Sequence, residues 1–140
     1  MAGNLPIGSS RITAYLLYED VSSTIDWLIE VFGFSERSRS AGPDGSVWHA
    51  ELDFGGALVM LGCPGPDYRN PRTLGGVTQS LYIYVDDVDA HYAHACEAGA
   101  KIIQEPTDMP YGDRRYGAED PEGHHWYFAA HMGEAVSDNG

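Results

Sequence analysis

The segment YLLYEDVSSTIDWLIEVFGF (Tyr15 to Phe34) is echoed by YIYVDDVDAHYAHACEAGAK (Tyr82 to Lys101). A chain made of two copies of one unit has few architectures open to it. Each copy is a short apolar strand, an acidic pair followed by Val, and an amphipathic helix closed by Gly. Asp20 aligns with Asp87 and Val21 with Val88, both 67 residues on, while Gly33 aligns with Gly99, 66 residues on. Further along, Asp53 and Gly56 of DFGG align with Asp120 and Gly123 of DPEG, again at 67.

Periodicity assigns the elements inside each copy. Ile25, Leu28, Ile29 and Phe32 recur on one face of a first helix. Asp20 or Ser23 can cap it, and Gly33 supplies a left-handed exit. Val88, Tyr92, Ala95, Cys96 and Gly99 form the matching stripe of a second helix, with Asp87 as its cap. The strands FSERSRS, SVWHAELDF and ALVMLG follow the first helix, and KIIQEP, DRRYGAED and HHWYFAAH follow the second. Gly55-Gly56 joins one pair of strands, and Pro121 to Gly123 suits a type I turn joining the other. The expected fold is α+β: two tandem β-α-β-β-β modules forming a curved mixed sheet with an inner cavity. The first module spans 11–62, a Pro/Gly-rich linker 63–76, the second module 77–131 and a flexible tail 132–140.

Alternation along strands sorts the side chains. Leu81, Ile83 and Val85 should pack on a helix, leaving Ser80, Tyr82 and Tyr84 on the opposite face. The 67-residue equivalence places Thr13, Tyr15 and Leu17 alike. Trp126 and Phe128 should face the helix, with His125, Tyr127 and Ala129 opposite. Trp48, Ala50 and Leu52 are expected on the packed side, and His49 and Glu51 on the inner one. Arg114 and Tyr116 follow to the inner face by the same offset. His124 and His125 are neighbours on a strand and cannot ligate one ion together. His91 and His94 sit off the apolar stripe and are expected in solvent, and His131 carries no signal.

Charge narrows the partners. Eight Lys and Arg stand against 21 Asp and Glu, a net charge of −13, which disfavours nucleic acid and anionic membrane and suits a neutral or cationic ligand. There is no apolar run long enough to cross a bilayer and no signal-peptide pattern at the start, so a cytoplasmic protein is expected. Cys63 and Cys96 are too few for a disulfide framework. Cys96, among alanines, reads as a small buried hydrophobe.

With ITAYLLYED, WHAELDFGGALVML, VDDVDAHYAHACEAGA and YGDRRYGAEDPEGHHW on paired modules, the chain resembles the vicinal oxygen chelate superfamily. That group comprises glyoxalases, bleomycin-resistance proteins and extradiol dioxygenases, and the similarity is greatest to its PhnB-like or glyoxalase-like branch. The resemblance covers residues 11 to 131. In metal-dependent members His and Glu on the first, fourth, fifth and eighth strands hold a divalent ion. Carried over, those positions fall at Thr13, Met60, Ser80 and Tyr127, and none supplies imidazole or carboxylate. No cofactor is therefore expected, with a divalent metal on His49, Glu51 and His125 as the minority alternative.

Two functions follow. The first is a metal-free small-molecule binder holding a flat or cationic antibiotic or metabolite, with Tyr15, Met60, Tyr82, Tyr84, Arg114, Tyr116 and Tyr127 as its lining. The second is a glyoxalase-like lyase or isomerase using His49, Glu51 or His125 as acid–base groups. The resemblance further implies a homodimer.

Overall fold

Each helix begins at the carboxylate the repeat aligns. In the computed structural model, which describes Leu5 and residues 9–133, strand β1 (Ala14–Leu17) leads to helix α1 (Val21–Trp27). Asp20 caps α1 by accepting the Ser23 amide at 3.1 Å. After the linker, β5 (Ser80–Tyr84) leads to α3 (Val88–Glu97), where Asp87 accepts the Ala90 amide at 3.0 Å. A side-chain acceptor satisfies an amide that lacks an intrahelical partner, which fixes the start of a short helix.

The first helix does not end as its apolar spacing predicts. Leu28–Phe32 forms a π-helical turn, and Gly33, with φ of 87°, leaves it in the left-handed region. The wider turn holds an additional residue, so the face after Leu28 rotates. Val31 joins Ile25, Leu28 and Phe32 in the core, and Ile29 stays 36% exposed, contrary to its expected place on the apolar stripe. On α3, Val88 and Ala95 are buried, but Cys96 is exposed rather than packed.

The strands build two four-stranded mixed sheets, one in each of the compact units that divide between Leu74 and Gly75. In the first unit, β2 (Ser35–Ala41), β3 (Val47–Phe54) and β4 (Ala57–Gly62) join β1 in the order β1-β4-β3-β2. In the second, β6 (Lys101–Asp108), β7 (Asp113–Glu119) and β8 (His125–His131) join β5 in the order β5-β8-β7-β6. A short helix, α2 (Pro71–Leu74), interrupts the expected linker. The expected tail, beyond Gly133, lies outside the described residues. No helix among the described residues is long and apolar enough to cross a membrane.

The parallel strand pairs keep the register of the repeat. Tyr15 lies beside Met60 in the parallel β1–β4 pair, and Tyr82 beside Tyr127 in β5–β8, so both strands are displaced by 67. Glu51 pairs with Met60, whereas Gly117, only 66 residues on, pairs with Tyr127. The connections differ. Asp53 and Leu58 bracket four residues, while Glu119 and His125 bracket five. One extra residue turns every β7 side chain to the opposite face from the one a uniform offset predicts.

That longer connection is built around Asp120, which is buried. The turn closes from the Gly123 amide to the Asp120 carbonyl at 3.0 Å, with Pro121 at its second position, as the sequence suggested. The Asp120 carboxylate accepts the Glu122 and His124 amides, each at 3.0 Å. It also accepts the indole N–H of fully buried Trp126 at 3.0 Å. Asp120→Ala removes the acceptor of two buried donors and one half-buried donor and should destabilise the fold by about 3 kcal/mol, since each charge-assisted bond is worth roughly 1.5–3 kcal/mol and the losses overlap. Urea unfolding followed by tryptophan fluorescence measures this. A loss below about 1 kcal/mol would refute the bracing role of the carboxylate.

Candidate functional site

Each sheet has a helix-covered face and an open one, and the open faces carry the chemistry. In the first unit Tyr15, Met60 and Glu51 form one row across β1, β4 and β3. Leu17, Gly62 and His49 form the next. Gly62 lets the Tyr15 ring lie across it, since a Cβ there would come within 2.5 Å of the phenol oxygen. Tyr15 thereby reaches His49 Nδ1 at 3.3 Å, the two rings meeting edge-on. On the other side of the imidazole, His49 Nε2 stands 4.0 Å from Glu51, whose second oxygen is 3.6 Å from Arg37 Nε. The face thus carries a file of phenol, imidazole, carboxylate and guanidinium.

The open face of the second unit is organised by one carboxylate. Asp113, at the start of β7, is only 3% exposed. Its Oδ2 accepts the hydroxyls of Tyr82 at 2.7 Å and Tyr84 at 2.9 Å. Its Oδ1 lies 2.7 Å from His131 Nδ1. These partners, His131 first and then Tyr82, hold the Asp113 carboxyl below the usual carboxylate range, outweighing its burial. Reciprocally, burial and bonds to Tyr111 and Asp113 push the Tyr82 phenol up, and the bond to Asp113 pushes Tyr84 up. Both phenols stay protonated and act as donors.

Arg115 occupies the same face two residues on. Its guanidinium carbon sits 4.5 Å from the centre of the Tyr127 ring and 5.8 Å from that of Tyr82. Nε donates to the Gln104 side-chain oxygen at 2.9 Å, and Nη1 donates to the Tyr111 hydroxyl at 3.3 Å. Gly117 makes room for this stack, because a Cβ there would lie 2.6 Å from Tyr127 Cε1. The second unit therefore presents tyrosine rings fixed at their hydroxyls and a guanidinium fixed by stacking.

The residues that the sequence grouped fall on two sheets, one in each unit. Tyr15, Met60, His49 and Glu51 share the open face of the first sheet, and Tyr82, Tyr84, Tyr127 and His125 share that of the second. Arg114 and Tyr116 do not. Tyr116 is fully buried on the helix side, stacked on Phe128 and hydrogen-bonded to His91 of α3. Arg114 bonds Asp89 of α3 at 3.1 Å and Asp108 at 3.0 Å. The extra turn residue before β8 is the reason for both corrections. His91, expected in solvent, instead lies 4.3 Å from the Phe128 ring centre. Trp48 is 54% exposed rather than packed, because it bulges out where His49 pairs with Ser40 and Val47 with Ala41. Sequence reasoning missed Asp113, Arg115, Tyr111 and His131. The first two carried no signal, because DFGG and DPEG align at equal length and conceal the longer connection that fixes which residues of YGDRRYG face the tyrosines.

The metal positions do not fit a metal. Thr13, Met60, Ser80 and Tyr127 bring two hydroxyls, a thioether and a phenol, a poor donor set for a divalent cation. Within the second unit His125 lies 3.8 Å from Glu119, which also lies 3.5 Å from Lys101, and within the first His49 lies 4.0 Å from Glu51. Among the described residues no three His, Cys, Asp or Glu side chains gather at one point.

Comparison with known proteins agrees with the paired sheets. Residues 11–128 match the family described as Glyoxalase/Bleomycin resistance protein/Dioxygenase superfamily. The Mycobacterium bovis protein Mb0911c is 35% identical over 133 residues, covering 91% of this chain and 87% of that one. The crystal structure of TioX from Micromonospora sp. ML1 is similar at 37% identity and a TM-score of 0.73, over 88% of this chain and 99% of TioX. A superfamily member from Sphaerobacter thermophilus is 25% identical with a TM-score of 0.67, over 84% of this chain and 94% of its own.

The Asp113 cluster makes a pH prediction. Its carboxyl is depressed in the folded state, so its contribution is present above the unfolded value of about 3.9 and is lost as pH falls through the folded one. Asp113→Asn should therefore lower Tm at pH 6–7 and converge on the parent protein below about pH 4. Thermal melts across pH 2–7 test this, and a Tm difference that does not change with pH would contradict it. Gly117→Ala should cost about 1–3 kcal/mol by overpacking Tyr127. Gly62→Ala should cost less, because it meets only the far end of the Tyr15 side chain. Paired chemical denaturation curves rank the two.

Proposed function

The chain belongs to the glyoxalase/bleomycin resistance protein/dioxygenase superfamily, and from that premise we propose that it binds a flat small molecule on the open face of its second sheet, without a metal. One observation carries this reading. Tyr82 and Tyr84 are 38% and 58% exposed, yet both hydroxyls are tied to a buried carboxylate. Their rings stand edge to face at 5.6 Å. Rings held this way are ready to stack on a ligand with little further ordering cost, which is how a surface gains affinity from area.

The net charge of −13 attracts cations to the protein at long range. At physiological salt that field decays over about 8 Å, so contacts on the face select the ligand more than overall charge does. The same expectation for a homodimer stands as part of the proposal, to be read by sedimentation against the 15.3 kDa chain mass.

A second reading rests on the first sheet. His49 sits between a phenol at 3.3 Å and a carboxylate at 4.0 Å, an arrangement suited to moving a proton. It would serve a lyase or isomerase acting with its own side chains. Turnover of a 2-oxoaldehyde–thiol adduct that survives chelator and disappears in His49→Gln would establish this reading over the first.

The binding proposal is tested with a neutral planar probe, 2-naphthamide, by titration calorimetry. Tyr84→Ala removes one stacking ring at an exposed position and should weaken binding about tenfold. Unchanged affinity in that variant would place the ligand elsewhere.

A further inference from the structure

We propose that the ligand of the second sheet carries a carboxylate and that Arg115 receives it. This deepens the binding reading above and rests on it. Strands β2 and β7 carry four arginines. Arg37 lies 3.6 Å from Glu51, Arg39 2.7 Å from Glu36, and Arg114 3.1 and 3.0 Å from Asp89 and Asp108. Arg115 alone among these four has no carboxylate within ion-pairing reach among the described residues, in a chain where acids outnumber bases 21 to 8. Its polar partners are neutral: the Gln104 amide and the Tyr111 phenol.

The guanidinium is nonetheless held in place. Stacking on Tyr127 and the bond from Nε to Gln104 fix its plane. Nη2 donates to no protein group among the described residues, and Nη1 has only the 3.3 Å bond to Tyr111. The Nη1–Nη2 edge is thus open, and that edge matches the two oxygens of a carboxylate. Tyr82, 5.8 Å away, is one of the two exposed rings that the buried carboxylate fixes. A planar ring lying on Tyr82, with Tyr84 meeting its edge, would carry a directly attached carboxylate toward Arg115. A phosphate ester suits the place less well. It is tetrahedral and brings roughly two negative charges near Asp113, which lies behind both tyrosines.

Three probes of one ring system decide the matter by titration calorimetry: 2-naphthoate, 2-naphthamide and 2-naphthyl phosphate. The parent protein should bind the acid at least about tenfold more tightly than the amide, as expected of a charge-assisted pair. Arg115→Gln should abolish that preference, making the acid-to-amide affinity ratio about one, and Arg115→Lys should restore only part of it. Thermal melts establish that both variants are folded, which the open-face position of Arg115 leads us to expect. Equal binding of acid and amide by the parent protein would overturn the carboxylate assignment and leave the flat-ligand reading standing. Retention of the preference in Arg115→Gln would move the anion site elsewhere. Tighter binding of the phosphate ester would replace carboxylate by phosphoryl and so overturn the proposal. Failure of all three to bind at millimolar concentration would sink the binding reading itself and this inference with it.

Discussion

Which side chains stand together on the second sheet is decided by one residue in the connection between β7 and β8. Side chains alternate along a strand, so a hairpin longer by one residue exchanges its two faces completely. Five residues between Glu119 and His125, against four between Asp53 and Leu58, put Asp113, Arg115 and Gly117 beside the tyrosines. They put Arg114 and Tyr116 under the helix. Asp120 makes the longer connection tenable, because its carboxylate satisfies two turn amides and the buried Trp126 indole at once. The turn, the core and the open face are coupled through that side chain.

Asp113 is the consequence with the widest reach. A carboxylate at this depth would be costly without donors, and it has three: two phenols and an imidazole. The bonds act in both directions. They keep the carboxyl ionised, and they keep the phenols protonated and the rings at fixed angles. Gly117 adds the other half of the arrangement. By lacking a Cβ it lets Tyr127 lie flat across β7, and Arg115 stacks on the ring so placed. A tyrosine-rich surface without such ties would lose side-chain freedom on binding, which offsets affinity.

Much of this was legible in the sequence wherever local rules dominate. The caps at Asp20 and Asp87, the turn at Pro121 to Gly123 and the open-face tyrosines of β1 and β5 all follow from residue type and period. The β7 faces were not legible from the repeat alone. The aligned Asp53 and Asp120 concealed that Asp53 is matched in the sheet by Glu119, the residue one earlier. The π-helical turn was equally hidden, since Ile25, Leu28, Ile29 and Phe32 read as a regular stripe until tertiary packing selects Val31 over Ile29. His91 reads as exposed because it lies off the apolar stripe of its helix, while the groups that meet it, Tyr116 and Phe128, come from the sheet.

The two modules share a frame and differ in what the frame displays. At the equivalent positions in the rows, the first sheet carries Tyr15, Met60 and Glu51, and the second Tyr82, Tyr127 and Gly117. Exchanging Met60 for Tyr127 adds a ring, and exchanging Glu51 for Gly117 removes the carboxylate that would pair with a nearby arginine. The first sheet indeed keeps that pair, Glu51 with Arg37 at 3.6 Å. The second keeps an arginine and places an aromatic ring, not an acid, against it. Stacking orients a guanidinium without neutralising it, whereas a carboxylate does both. The same scaffold therefore yields one face whose charges are matched internally and one whose positive charge is left for a partner to match.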